Sequence, residues 1–185
     1  MIRWILWILG GALLGGIVHL VTVLALPQTT TQDAYARLTA IAPVHTVTPL
    51  AQPTPQTAVL PFMDPAFAVA VCRYDLSSGP LKLSLAVGQA YTSVSFYTLQ
   101  GIAFYAINDR AAGRRVIELD LMTNEQRAAL PDDEEVTAAD RLIVESPEPT
   151  GLVLLRALAP EPSLIPVAQR IVSAGKCTTV PQQQS

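Results

Sequence analysis

The chain opens on a long run of apolar positions without a charged residue. From Trp4 to Leu26 the run holds 23 residues, and a helix needs roughly 20 to cross the hydrocarbon core of a bilayer. Trp4 and Trp7 lie at one end, where indole rings favour the headgroup region, and Pro27 ends the run at the other. The pattern predicts a transmembrane anchor over residues 1–27.

The basic residues around this run indicate its orientation. Arg3 precedes the run, and the next basic residue after it is Arg37. Because cytoplasmic flanks of membrane helices are enriched in Lys and Arg, we expect the N-terminus in the cytoplasm and the body outside it. A signal peptide cleaved after Val23-Leu24-Ala25 is the alternative. The run exceeds the usual ~7–15-residue apolar core of such peptides, so a retained anchor is favoured.

One side of the predicted anchor carries small and polar residues at helical spacing. Successive positions along this side, three or four residues apart, are Gly11, Gly15, His19 and Thr22. Small residues let two helix backbones approach closely, and polar side chains in lipid seek partners, so we predict packing against a second membrane helix. Glycine is common in membrane helices, and Gly10 and Gly16 lie off this side. A plain anchor is therefore the alternative.

Beyond the anchor the polarity pattern changes to short alternating runs, which are typical of β-strands. Residues 81–85 alternate strictly between leucine and polar side chains, and Ser77-Ser78-Gly79-Pro80 just before them is a turn sequence. Several short strands with few helices predict a mainly β domain, a β-sandwich or jelly roll, over residues 62–178. The other predicted strands cover residues 67–76, 91–97, 102–107, 116–121, 142–145 and 152–155.

Helical spacing and turn residues assign the remaining segments. Proline and threonine are frequent between residues 43 and 61, which is typical of a linker. Pro166 lies in the first turn of the last predicted helix, where its ring costs little. The predicted segments are a connection over 28–61 with a juxtamembrane helix at 33–40, a short helix begun by the capping-box sequence 123–126, a C-terminal helix at 163–174 and a flexible tail at 179–185.

Composition and charge exclude several classes of function. The net charge is −3 and basic residues form no stripe, so the electrostatic footprint of a nucleic-acid-binding protein is missing. His45 is the one histidine outside the predicted anchor, too few for the usual zinc sites, and there is no glycine-rich phosphate loop. The acidic run Asp132–Glu135 lacks the spacing of a calcium loop and is predicted to be solvated. We therefore expect no metal and no cofactor, and favour a non-enzymatic protein.

The two cysteines, Cys72 and Cys177, are predicted to form a disulfide. An exported body lies in an oxidising compartment, where paired cysteines oxidise. The bond would close a loop of about 100 residues, worth roughly 4–5 kcal/mol in the chain-entropy model, and would staple the C-terminal helix to an early strand. Two unrelated buried thiols are the alternative.

Four charged residues are the candidates for a ligand pocket in the β domain: Asp64, Arg73, Asp75 and Arg110. Arg73 and Asp75 are two positions apart, so in a strand their side chains share a face. Structural ion pairs are the favoured interpretation, and a small-molecule pocket is the alternative. Convergence of the four side chains in one concave site would favour ligand binding or hydrolysis, and scattering would not.

A series of motifs between Phe62 and Gly113 resembles a known family. Residues 75–80 (Asp-Leu-Ser-Ser-Gly-Pro) match an Asp-Leu-x-x-Gly-Pro element in full, and Asp64 precedes them at the place of a family aspartate. A tyrosine-rich strand and a glycine-rich stretch follow in order with Tyr91, Ser93, Gly101, Phe104, Arg110 and Gly113. This pattern resembles the bacterial family of domains of unknown function 1254, whose long members resemble two-domain β proteins.

The resemblance also has implications for partners. Where the family has Thr, Tyr and Ser after its aspartate, this chain has Pro65, Phe67 and Ala68, so polar side chains suited to ligand contact are replaced. Long members carry a second β domain of family 1214, which this sequence does not reach. The resemblance therefore implies that a separate chain, such as a family 1214-like protein, supplies the second half.

Two functional hypotheses follow. The first is a non-enzymatic protein of the bacterial inner membrane, with a periplasmic body, that acts in a complex with a second membrane protein or with itself. The second is a periplasmic β domain that binds or hydrolyses a small molecule.

Overall fold

A computed structural model describes residues 1–29, 34–113, 115–130 and 142–180. The chain divides into two compact units, Met1–Asp33 and Ala34–Ser185. The predictions for the acidic run Asp132–Glu135 and for tail residues 181–185 lie outside the described residues.

The first unit is helix α1, which spans Ile2–Thr29. Its stretch Ile2–Ala25 has a mean hydropathy of 2.2, and none of the residues in the most apolar window is buried. The hydroxyl of Thr22 donates to the carbonyl oxygen of Val18 at 2.8 Å, which satisfies this polar group within the helix. By length and composition, α1 meets the requirements of a membrane anchor and also those of a signal sequence.

The second unit is mainly β, as the sequence predicts. Thr123 caps the helix that follows it, with the reciprocal bonds of a capping box to Gln126. Two short 3₁₀ turns cover Leu76–Ser78 and Pro162–Leu164. In chain order the elements are α2 (Ala34–Thr39), β1 (Thr48–Pro49), β2 (Phe67–Asp75), β3 (Leu81–Ala86), β4 (Thr92–Thr98), β5 (Ala103–Asn108), β6 (Val116–Met122), α3 (Asn124–Ala128), β7 (Leu142–Glu145), β8 (Thr150–Leu158), α4 (Ile165–Ser173) and β9 (Lys176–Thr179).

The described strands form two sheets. Sheet A has the order β1-β2-β8-β4-β5, and sheet B has the order β7-β6-β3-β9. Neighbouring strands are antiparallel except β6 and β7, which are parallel. The pairing of β2 with β8 and of β3 with β9 brings the two ends of the body together, so strand order does not follow chain order.

The main core lies between the inner faces of the two sheets. Strand β3 shows how alternation builds this core. Its side chains Leu81, Leu83 and Leu85 are buried, while Lys82 and Ser84 between them are partly exposed. Its partners in this core include Phe96 of β4, which is fully buried. The alternating pattern therefore places every second side chain of the strand in the core between the sheets, as the sequence predicts.

A smaller apolar layer covers the outer face of sheet A. Val71 of β2 and Leu152 of β8 pack there against Leu38 of α2 and Leu50, and all four are buried. Strand β2 is therefore covered on both faces, which explains its nearly continuous apolar sequence. Much of the segment predicted as a linker thus packs on the sheet.

The predicted disulfide joins Cys72 and Cys177. Cys72 lies on β2 of sheet A and Cys177 on β9 of sheet B, so the bond links the two sheets directly after α4. Both cysteines are almost fully buried. The prediction of a disulfide is confirmed, and the bond closes the body across its core.

Candidate functional site

Arg73 and Asp75 lie near the same end of β2, where each makes hydrogen bonds to a neighbouring segment of the chain. The Arg73 guanidinium donates to the carbonyl oxygen of Ala42 at 3.1 Å and to the hydroxyl of Tyr35 at 3.0 Å, and it lies 4.7 Å from the centre of the Tyr35 ring. Arg73 therefore fastens α2 to sheet A. Asp75 accepts from the backbone of Ser77 at 2.9 Å, and hydrogen bonds from the Ser77 side chain and backbone lower the pKa of the carboxyl.

The other two predicted pocket residues lie at the opposite end of sheet A. The exposed Asp64 accepts from the backbone N–H of Ala66 at 2.9 Å just before β2, and the exposed Arg110 follows β5 in a turn capped by Asn108. Strand β2 has nine residues, so its ends are about 26 Å apart. The structure therefore does not bring the four side chains into one cavity, and no ion pair joins them within the described ranges.

A buried hydrogen-bond chain at the Asp75 end of the sandwich is absent from the sequence predictions. The Ser146 hydroxyl donates to the carbonyl oxygen of Glu148 at 2.6 Å, so the Tyr74 hydroxyl, 3.0 Å from Ser146, donates to it. Burial raises the pKa of Tyr74 to about 12. The phenol therefore stays neutral at physiological pH. These hydrogen bonds are suited to fixing the loop before β8 rather than to acid–base catalysis.

An apolar cleft of about 660 Å³ lies between α4 and the edge of the sandwich. Leu164, Val167 and Ile171 form the helix side, and Val87 and Leu158 lie on the opposite side. The Thr92 hydroxyl in the cleft is already paired, since it accepts from Gly88 at 3.2 Å and donates to Ala90 at 3.3 Å. None of the described residues lining the cleft carries a charge, so its chemistry suits a neutral apolar molecule.

The predicted packing face of α1 is open along the helix. Among the described residues, a methyl group added at Gly11 or at Gly15 would meet nothing within 4 Å, and the same holds at Gly10 and Gly16 on other sides of the helix. His19 and Thr22 are exposed on the same helix. A bulky residue on this face would therefore disturb only what packs against it.

The described part of the chain holds no cluster of three potential metal ligands. His45 serves the backbone instead, because its Nε2 atom lies 2.8 Å from the carbonyl oxygen and 3.1 Å from the backbone nitrogen of Asp75. The arrangement fixes the segment before β1 against β2.

A family model described as protein of unknown function, DUF1254, matches residues 44–179. The chain belongs to the DUF1254 family. The match covers both sheets and α4, and the resemblance drawn from the motifs between Phe62 and Gly113 is confirmed. A search of curated proteins gave no match.

Two solved bacterial structures resemble this DUF1254 chain in fold. The VPA0106 protein from Vibrio parahaemolyticus is 12% identical with a TM-score of 0.57, and the match covers 82% of this chain and 38% of that one. An uncharacterized protein from Burkholderia cenocepacia is 14% identical with a TM-score of 0.50, covering 75% of this chain and 35% of that one. At such identities the likeness shows the fold alone. The chain spans little more than a third of the length of either relative.

The motif residues of this DUF1254 domain build its turns. Asp75 caps the 3₁₀ turn after β2, and Gly79 follows it with φ of 138°, a backbone conformation that favours glycine. Gly101, in the turn between β4 and β5, has φ of 78°. These three motif residues are therefore requirements of the backbone in this chain, and they assign no reaction.

Proposed function

We propose that this chain is a single-pass protein of a bacterial inner membrane, whose DUF1254 body in the periplasm is a non-enzymatic subunit of a complex. The observation that carries the proposal is α1, whose stretch Ile2–Ala25 has a mean hydropathy of 2.2, with no buried residue in its most apolar window. Such a surface is stable only in lipid or against another protein. The Cys72–Cys177 disulfide supports an oxidising location for the body, and Arg3 in the first turn of α1, before the uncharged run, supports a cytoplasmic N-terminus.

One feature of α1 supports a partner. Gly11 and Gly15 lie on one side of the helix without side-chain bulk, which suits close packing of a second helix. A second membrane protein, such as a family 1214-like chain, is the proposed partner, and self-association through α1 is the other arrangement this face permits.

Co-purification from membranes tests the proposal. A tagged full-length chain extracted in mild detergent is expected to retain a stoichiometric second protein, and Gly15→Leu is expected to reduce its recovery at least tenfold. The reason is that added bulk at a close helix contact costs more than about 1.4 kcal/mol. Gly10→Leu, on a different side of α1, is the matched control and is expected to behave as wild type.

Two outcomes would overturn the proposal. If wild type, Gly10→Leu and Gly15→Leu all yield this chain alone and monomeric, the packing face has no partner. If the mass of the purified chain shows that α1 has been removed, the helix is a signal sequence and the anchor is excluded.

The α4 cleft supports a second candidate function, the binding of a small apolar molecule. Its volume of about 660 Å³ lies within the range typical of ligand sites. Binding of the neutral fluorescent probe N-phenyl-1-naphthylamine is expected to weaken at least tenfold in Val167→Trp, since the indole would fill the cleft. Ser173→Trp, at the exposed end of α4, is the control. Equal binding by both variants would exclude the cleft as the site.

A further inference from the structure

The outward-facing residues of β8 and β4 form a strip on the outer face of sheet A. Val153 and Leu155 belong to the main core, so their neighbours Leu152, Leu154 and Arg156 point to the other side of the sheet. The register pairs these three residues with Tyr97, Ser95 and Ser93 of β4, in that order. We call these six residues the outer strip.

One end of the outer strip is an apolar hollow. A cavity of about 240 Å³ is lined there by Leu152, Leu154 and Tyr97, together with Tyr35 of α2 and Leu60. The described residues that line this hollow include no charged side chain. The end at Leu152 therefore suits an apolar group.

The other end of the outer strip holds a cation, Arg156, for which the described residues supply no counter-charge. Arg156 is partly buried, and among these residues its guanidinium hydrogen-bonds only to the Ser95 hydroxyl, at 3.4 Å. Its Nε atom and the hydroxyl of Ser93, which is 2% exposed, are buried without a partner. In the described ranges no carboxylate pairs with Arg156. A buried Nε–H group and an orphaned hydroxyl are both costly to leave unpaired, so the two groups together are complementary to an anion.

We propose that the outer strip binds a small amphipathic carboxylate, such as a medium-chain fatty acid. The carboxylate lies on Arg156 and Ser93, and the chain lies along Leu154 into the hollow. One guanidinium balances one negative charge, and the two orphaned donors match the two oxygens of a carboxylate. Arg156 and Leu154 are two strand positions apart, about 7 Å, which a short alkyl chain spans. The inference goes beyond the proposed function and does not depend on whether α1 binds a second protein.

Titration of the full chain in lipid nanodiscs with octanoate tests the proposal. The thermal midpoint of the body, followed by near-ultraviolet circular dichroism, is expected to rise with octanoate, and to rise far less with octan-1-ol or acetate at the same concentration. Octanol keeps the alkyl chain without the charge, and acetate keeps the charge without the chain. From the midpoints, Arg156→Met is expected to weaken octanoate binding roughly 10- to 100-fold, as for lost hydrogen bonds to a charged group.

Two further variants keep the test decisive. Arg156→Lys preserves the charge and is expected to bind octanoate more tightly than Arg156→Met. Ser93→Ala, a small change that leaves the guanidinium in place, is expected to weaken binding about 5-fold. Equal effects of octanoate and octanol, or octanoate binding that is unchanged in both Arg156→Met and Ser93→Ala, would overturn the proposal. Arg156-dependent binding to phosphatidylglycerol vesicles without any octanoate effect would also overturn it, because the anion would then be a lipid headgroup.

Discussion

Replacing Cys72 and Cys177 together by alanine is expected to lower the free energy of unfolding of the body by about 4–5 kcal/mol. The disulfide joins residues 105 positions apart, so its loss releases most of the body's chain in the unfolded state. It also removes the disulfide cross-link between sheets A and B, at a point where both cysteines are almost fully buried. Denaturant unfolding of the full chain, followed by tyrosine circular dichroism, measures the difference.

Chemical reduction of wild type is the matched control for this variant. Reduced wild type keeps both side chains and loses only the cross-link, so it separates chain entropy from the cavity left by two missing sulfur atoms. The two samples are expected to agree within about 1 kcal/mol. A double variant as stable as oxidised wild type would contradict the role assigned to the bond.

The sequence predicts the elements of the body well because alternation is a local property. Strand β3 follows from its leucine alternation, and α3 begins at the capping box of Thr123, as predicted. The sequence does not predict strand β9, because four residues after Gly175 are too few for alternation of polar and apolar side chains to distinguish a strand from a tail. Its existence depends on a partner, β3, that lies far away in the chain.

The four predicted pocket residues do not meet in the structure, because the sequence does not reveal which distant residues become neighbours. The sequence groups Arg73 and Asp75 with Asp64, which is near them in the chain, and with Arg110 as a fourth charged residue, yet the length of β2 separates the two pairs. The sequence does not identify Arg156 as a candidate binding residue. Its neighbour Ser93 lies 63 positions earlier in the chain, and the β4–β8 register places the two side by side. Long-range strand pairing therefore decides which polar residues meet, and alternation along a single strand does not reveal which distant strand it pairs with.

The second large effect is expected at Gly151, the second residue of β8. A methyl group there would collide with the Tyr74 hydroxyl and the carbonyl oxygen of Tyr97, and would lie 2.6 Å from the Tyr74 ring carbon that bears the hydroxyl. Tyr74 is fully buried, and Tyr97 is part of the β4 backbone paired with β8, so neither can move aside cheaply. Gly151→Ala is therefore expected to cost about 3 kcal/mol, at the upper end of overpacking in a core.

Gly101→Ala is the control that separates this collision from the general cost of adding a methyl group. Gly101 has φ of 78° but meets nothing within 4 Å, so its substitution costs backbone strain alone, about 1 kcal/mol. Denaturant midpoints of both variants in the oxidised full chain give the comparison. A smaller loss at Gly151 than at Gly101 would contradict the close packing of Tyr74 beneath β8. The expected larger loss would mean that glycine at this position is required by the buried tyrosine and its hydrogen bond to Ser146, and not by any turn of the chain.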